Sequence, residues 1–189
     1  VALHRHLLDA LGVNLVQCAI GGSMGGMQVL EWAFQEAFQQ GDANAPLVQT
    51  LVPIAVGGCH TPWQIGWSEA QRQAIYADTN WQDGDYALDN PPTHGLAAAR
   101  AMAMMTYRSH ASFQERFGRQ RQAENGTTSP PFAVESYLRY QGEKLVERFD
   151  ANCYVHLTQQ MDAHDVSRGR GEYDEVLRRI TQPTLVIGI

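Results

Sequence analysis

A serine flanked by glycines, between an apolar run and a helical pattern, most constrains how this chain can fold. Gly21-Gly22-Ser23-Met24-Gly25-Gly26 follows the apolar residues 15–20 and precedes a helix-like segment over 27–38. In a strand-to-helix turn of this kind the serine is strained and its hydroxyl is exposed. Glycines two positions before and after it keep side chains from colliding where strand and helix nearly touch. The motif predicts Ser23 as a nucleophile, although an inert serine in a glycine-rich turn has the same pattern.

The backbone that follows Ser23 points to the same chemistry. The N–H group of Met24 can be directed at a negatively charged oxygen, and the start of the helix behind it favours negative charge at that place. We therefore predict that Met24 is a backbone donor of an oxyanion hole.

The order of the segments predicts an α/β fold with a parallel sheet and a helical cap insertion. Three continuous apolar runs are typical of buried parallel strands, at residues 15–20, 47–56 and 184–189. Between the second and third runs the pattern predicts helices, at residues 64–77, 94–107, 112–124, 134–148, 152–160 and 173–180. The expected organisation is a core part over residues 1–56, a helical cap over 57–172 and a return to the core sheet over 173–189.

Composition argues against several classes of function. A net charge of −6 argues against a nucleic-acid surface. The apolar runs are well short of a membrane span, so we expect no membrane association. Cys18, Cys59 and Cys153 are widely spaced, which predicts free buried thiols rather than a disulfide or a metal site. No spacing of histidines predicts a metal site either.

Both ends of the sequence resemble the interior of a longer protein. The chain starts with Val1 inside an amphipathic helical pattern over residues 1–11, which Gly12 ends. It stops on the apolar run 184–189, whereas chain termini normally lie at the surface. The expectation is an internal fragment.

Segments along essentially the whole chain resemble the homoserine O-acetyltransferase family of the α/β-hydrolase fold. The elbow and its helix carry the first match, Gly21-Gly22-Ser23-Met24-Gly25-Gly26-Met27-Gln28-Val29-Leu30-Glu31-Trp32-Ala33. Further matches follow in order: Arg72-Gln73-Ala74-Ile75, Asp83-Gly84-Asp85-Tyr86, Gly95-Leu96-Ala97-Ala98-Ala99-Arg100, Tyr107-Arg108-Ser109, Arg116-Phe117-Gly118-Arg119, Val134-Glu135-Ser136-Tyr137-Leu138, Arg148-Phe149-Asp150-Ala151-Asn152, Met161-Asp162-Ala163-His164-Asp165 and Arg168-Gly169-Arg170-Gly171. The connection over residues 39–48 is longer than in the family and predicts a surface insertion.

The resemblance implies a partial α/β-hydrolase fold and an acyl transfer in methionine biosynthesis. Ser23 would take an acetyl group from acetyl-CoA, a co-substrate rather than a bound cofactor, and pass it to the hydroxyl of L-homoserine. The Asp and His of the family's catalytic triad would lie beyond residue 189, so the fragment alone is predicted to be nearly inactive. The resemblance further implies a cytoplasmic homodimer, and it places the pair His164-Asp165 outside the triad.

Arg100 and Tyr107 are the predicted substrate-binding residues. Helical spacing places Arg100, Met104 and Tyr107 on one face. The resemblance implies that Arg100 binds the carboxylate of the amino acid and that Tyr107 lines the same pocket. A planar guanidinium suits a carboxylate because it can donate two hydrogen bonds at once. A structural salt bridge is the alternative for Arg100.

The sequence leaves four other functions open. The acyl donor could be succinyl-CoA, and the acceptor of a succinyl group could be homoserine or serine. A serine esterase on the same fold would hydrolyse the acyl-serine instead. A non-catalytic protein could keep the fold without the triad, although a strained serine between glycines argues against an unused site.

Overall fold

The residues described in the computed structural model form two units, each with its own hydrophobic core. The structure describes residues 1–35, 46–122 and 129–189. The first unit comprises Val1–His60 and Ala163–Ile189, and the second comprises Thr61–Asp162. These bounds differ by several residues from the predicted core and cap, and that division stays a prediction.

Eight α-helices and two strands are assigned within the described ranges. The strands are β1 (Ala19–Gly22) and β2 (Leu51–Ile54). The helices are α1 (Ala2–Ala10), α2 (Met24–Trp32), α3 (Pro62–Tyr76), α4 (Thr93–Thr106), α5 (His110–Phe117), α6 (Ala133–Val146), α7 (Ala151–Asp162) and α8 (Tyr173–Arg178). None of the described helices is long and apolar enough to cross a membrane.

The first unit contains the predicted parallel sheet. β1 pairs in parallel with β2, with Ala19 opposite Leu51. Segment 184–187 lies along the other side of β2, where the Leu185 N–H donates to the Leu51 carbonyl (2.9 Å) and the Ile187 N–H donates to the Pro53 carbonyl (3.1 Å). The predicted parallel arrangement of three chain segments is therefore confirmed.

The predicted burial of the first and third segments is wrong. In the first, Leu15 and Ile20 are 57% and 67% exposed. The side chains of Leu185 and Val186 are 60% and 66% exposed, and Ile189 is fully exposed. Backbone pairing with β2 requires only one neighbouring strand, whereas burial requires elements over the faces of the sheet. Among the described residues no such element covers these side chains. An apolar run alone therefore did not determine burial.

Helix α2 joins the sheet to the rest of the first unit. Its apolar residues contribute to two clusters, one with Val29, Val48 and Leu51 and the other with Leu30 and Val166. Four of its residues are buried: Gly26, Met27, Val29 and Leu30. The thiols differ from expectation, since Cys18 and Cys153 are free but exposed.

The second unit is built from helices alone among its described residues. Helix α4 packs against α3 and α6, and α7 packs against α3. A capping box begins α3, where the Thr61 N–H donates to the Gln64 side chain at 2.8 Å and Pro62 occupies the first helical position. The predicted helix over 112–124 ends early, at Phe117, because Gly118 adopts a positive φ of 49°. Part of that predicted helix, and most of the predicted insertion at 39–48, lie outside the described residues.

Candidate active site

Ser23 occupies a strained turn between β1 and α2. Its φ of 53° and ψ of −124° are rare for a residue with a side chain, and its side chain is exposed and makes no capping hydrogen bond. The Ser23 N–H donates to the Ile54 carbonyl at 2.9 Å, which ties the turn to β2. The Met27 N–H donates to the Ser23 carbonyl at 3.1 Å, so the helix begins at once. The hydroxyl is thus presented on a backbone that is fixed on both sides.

Two glycines make this turn possible, and they are not quite the pair that the motif suggests. A β-carbon on Gly21 would lie 2.5 Å from the Gly25 carbonyl carbon and oxygen. A β-carbon on Gly26 would lie 2.7 Å from Val56 Cγ1 and 3.1 Å from the Gly21 carbonyl oxygen. A β-carbon on Gly25 would meet nothing within 4 Å. The close approach of strand and helix therefore requires Gly21 and Gly26, while Gly25 contributes only its backbone.

The N–H of Met24 lies at the start of α2, next to the Ser23 hydroxyl along the chain. The first N–H groups of a helix have no acceptor inside the helix. The hydrogen bonds found among the described residues give Met24 no other acceptor. Its donor is therefore available for an oxyanion, and its assignment to that role stays a prediction.

No hydrogen bond found among the described residues joins the side chains of His164 and Asp165. His164 is 8% exposed, and its Nε2 has no hydrogen-bond partner among the described residues. Burial lowers the pKa of His164, more than the nearby Glu31 carboxylate raises it. The Asp165 carboxylate accepts from the N–H and the hydroxyl of Ser167, at 2.8 and 2.6 Å. Its hydrogen bonds stabilise a local turn, and the position of this pair outside the triad stays a prediction.

Arg100 and Tyr107 are brought together at the end of α4, in the second unit. The guanidinium carbon of Arg100 lies 5.5 Å from the centre of the Tyr107 ring, which is the geometry of a cation–π contact. Tyr107 is 63% exposed. None of the ion pairs found within the described ranges involves Arg100. The alternative of a structural salt bridge therefore has no support in this part of the chain.

Sequence reasoning missed a hydrogen-bonded pair of side chains in the same unit. The Tyr154 hydroxyl donates to Gln71 Oε1 at 2.5 Å, and Gln71 Nε2 donates to the Trp67 carbonyl at 2.9 Å. Burial raises the pKa of Tyr154 to about 12, and the neighbouring Arg100 cation opposes that rise. The sequence contained one signal for this hydrogen bond, because Gln71 is a polar residue one turn before the fully buried Ile75.

No group of three or more candidate metal ligands occurs among the described residues.

Comparisons with known proteins agree with this geometry. A family model for the alpha/beta hydrolase fold matches residues 1–189. A homoserine O-acetyltransferase of Salinibacter ruber is 63% identical over 189 residues, which are 100% of this chain and 52% of that protein. The chain spans about half the length of the curated relatives it matches. The resemblance stated from the sequence is thereby confirmed.

Solved structures show the same fold. The X-ray crystal structure of a homoserine O-acetyltransferase from Bacillus anthracis matches 99% of this chain and 48% of its own, with a TM-score of 0.83 at 19% identity. The crystal structure of esterase E22 matches 99% of this chain and 50% of its own, with a TM-score of 0.80 at 23% identity. These two likenesses concern the fold alone. The serine turn, the parallel strands and the family match show together that the chain belongs to the alpha/beta hydrolase fold family.

Proposed function

We propose that this protein transfers an acetyl group from acetyl-CoA to the side-chain hydroxyl of L-homoserine, as a step of methionine biosynthesis. The observation that carries the proposal is the 63% identity, over all of its 189 residues, to a protein named homoserine O-acetyltransferase. The strained and exposed Ser23 supplies the nucleophile that such a transfer requires.

The transfer proceeds in two steps through an acetyl-serine. Ser23 Oγ attacks the thioester carbonyl carbon, and the resulting oxyanion accepts a hydrogen bond from the Met24 N–H. The C–S bond then breaks, and CoA leaves as the thiol with the proton that came from Ser23. In the second step the homoserine hydroxyl attacks the acetyl carbon, the bond to Ser23 Oγ breaks, and Ser23 recovers a proton. O-Acetylhomoserine is the product.

A general base must remove the proton from Ser23, because a serine hydroxyl is a weak nucleophile at neutral pH. No hydrogen bond found among the described residues joins the Ser23 hydroxyl to a histidine. We propose that the base is a histidine outside residues 1–189, oriented by an aspartate, as the family resemblance implies. His164, a histidine of the same unit, is buried, and burial lowers its pKa.

Arg100 is the proposed anchor for the acceptor. Its guanidinium has no carboxylate partner among the described residues and rests on the Tyr107 ring. The carboxylate of L-homoserine would supply the missing charge, through two parallel hydrogen bonds. Holding the acceptor in this way favours attack by its hydroxyl over attack by water. The helical cap, a homodimer and a cytoplasmic location belong to the same proposal.

The test uses the full-length protein encoded by the gene, assayed with acetyl-CoA and L-homoserine. Formation of O-acetylhomoserine and of free CoA thiol is measured, with succinyl-CoA and L-serine as alternative substrates. We expect Ser23→Ala to lower kcat by about 1000-fold or more and to abolish the acetylated protein intermediate. Ser129→Ala, a change of the same chemistry at an exposed position, is the matched control.

Each other outcome identifies a different function. Release of acetate at a rate that homoserine does not change would indicate an esterase. A preference for succinyl-CoA would indicate a succinyltransferase, and a full-length protein with no turnover would indicate a non-catalytic relative. An acetyl adduct on the Ser23→Ala protein, at another residue, would contradict the assignment of the nucleophile.

A further inference from the structure

Two residues at the same edge of the sheet in the first unit have a backbone conformation that favours glycine. Ser23 and Ala55 directly follow the paired residues Gly22 and Ile54, and their φ angles are 53° and 52°. A positive φ is costly for alanine and is kept only where the surroundings hold it. Open parallel sheets bind their ligands at the carboxyl ends of the strands, where both residues lie. Ala55 is thus a strained residue on the strand beside the proposed nucleophile.

Hydrogen bonds on both sides hold the backbone of Ala55 in place. The carbonyl of Ile54, which belongs to the peptide group before Ala55, accepts the Ser23 N–H at 2.9 Å. The Ala55 N–H donates to the Ile187 carbonyl at 2.8 Å. The strained residue is therefore fixed between the nucleophile turn and the third segment of the sheet.

The side chain of Ala55 is exposed, as is that of Ser23. The next residue, Val56, is partly buried and packs against the cluster that contains Leu30 and Val166. The hydrophobic clusters of the unit thus include Val56 but not Ala55. Because neighbouring strands lie about 5 Å apart, a group attached to Ser23 Oγ is within reach of the Ala55 methyl group.

We propose that Ala55 is a specificity-determining residue, whose side chain borders the space for the acyl group on Ser23 and limits the length of the acyl chain. A glycine at this position would leave space for a longer chain, and a larger side chain would take space away. A pocket distinguishes ligands that differ by one CH₂ group by about 10-fold or more. The inference rests on the acyl-serine of the proposed function, and it does not depend on which molecule later accepts the acyl group.

The test uses p-nitrophenyl acetate and p-nitrophenyl butyrate as acyl donors for the full-length protein. Ser23 Oγ bonds to the ester carbonyl carbon, the bond to the phenol oxygen breaks, and p-nitrophenol leaves and is measured by its colour. The release that remains in Ser23→Ala is subtracted. The measured quantity is the ratio of kcat/KM for the butyrate to kcat/KM for the acetate.

Two substitutions change the side chain of Ala55 and keep its backbone conformation, because glycine and asparagine both tolerate a positive φ. We expect Ala55→Gly to raise the ratio of kcat/KM about tenfold and Ala55→Asn to lower it about tenfold. The matched control is Gln82→Gly in the second unit, which removes the same kind of strain at an exposed residue with a φ of 47°. It should leave the ratio unchanged.

The ratio separates a limit on chain length from a general effect on Ser23. If both Ala55 variants keep the ratio of the unsubstituted protein, or change kcat/KM equally for the two esters, the inference is overturned. It is also overturned if mass spectrometry of the intact protein finds no ester that acylates Ser23. The proposed function is tested separately, by formation of O-acetylhomoserine from acetyl-CoA and L-homoserine. A protein that forms none, but whose ester ratio shifts as expected, would support this inference and contradict the proposed function.

Discussion

Two adjacent glycines after Ser23 have different surroundings, and this difference can be tested. A β-carbon on Gly26 would lie 2.7 Å from Val56 Cγ1 and 3.1 Å from two carbonyl oxygens, whereas Gly25 has open space. We expect Gly26→Ala to lower the free energy of unfolding by about 1–3 kcal/mol, because the backbone must shift to make room. Gly25→Ala should leave it unchanged or raise it by up to about 1 kcal/mol, because alanine favours a helix.

Urea unfolding of the full-length protein, followed by circular dichroism, measures both changes. Gly25→Ala is the internal control, since it adds the same methyl group to the same helix one position earlier. Equal stability of the two variants would show that the strand and helix do not approach as closely at Gly26 as the structure indicates.

Local patterns predicted the nucleophile turn, but they could not predict the hydrogen bond between Tyr154 and Gln71. The glycines and Ser23 are neighbours along the chain, so their spacing alone indicated the turn. Tyr154 meets Gln71 across 83 positions of sequence. Such a contact depends on how α3 and α7 pack, and no periodicity encodes it. The Arg100–Tyr107 pairing is an intermediate case, because both residues lie on one helical face.

Helices were predicted more accurately than the third chain segment of the sheet. The start of α3 follows from Thr61, Pro62 and Gln64, which act within one turn. The early end of α5 also had a local signal, Gly118, which the prediction overlooked. The exposure of segment 184–189 had none, because it depends on which elements cover the sheet. Capping and turn chemistry are local, whereas burial is a property of the assembled fold.

Arg72 links two helices of the second unit through a buried ion pair. Its guanidinium contacts Asp162 at the end of α7 (2.7 Å) and Glu69 on α3 (2.9 Å), and the Arg72 side chain is 8% exposed. We expect Arg72→Met to lower the free energy of unfolding by about 2 kcal/mol, because Asp162 and Glu69 each lose a hydrogen bond from this cation. Urea unfolding measures the loss.

An exposed ion pair in the same unit provides the control. Arg139 and Glu135 on α6 are 3.8 Å apart, and the Arg139 side chain is 62% exposed. Arg139→Met should cost less than about 1 kcal/mol. If the two arginine variants lose the same stability, then Arg72 does not join α3 to α7 in the way proposed.

Acidic groups in both units make the whole molecule sensitive to low pH. Hydrogen bonds lower the pKa of Glu69, mainly from Gln73, and that of Asp165, mainly from Ser167. In the unfolded chain these carboxyl groups take up protons at higher pH than in the folded protein. The stabilisation by these two carboxylates should be complete above about pH 5. The free energy of unfolding should fall as the pH drops below that value.

His164 extends this loss of stability to milder pH. Burial lowers its pKa, and the charged or titratable groups that act on it are Glu31, His60 and Asp165. Because the unfolded histidine takes up a proton near pH 6.5 and the folded one only at lower pH, stability should decline as the pH falls from 7 to 5.5. One such group accounts for a slope of at most about 1.4 kcal/mol per pH unit.

Urea unfolding at several pH values should give a flatter profile for His164→Gln, whereas His156→Gln, an exposed change on α7, should keep the slope. If His164→Gln keeps the slope of the free energy of unfolding between pH 7 and 5.5, another group takes up the proton on unfolding. The pKa of His164 would then be the same in the folded and the unfolded protein.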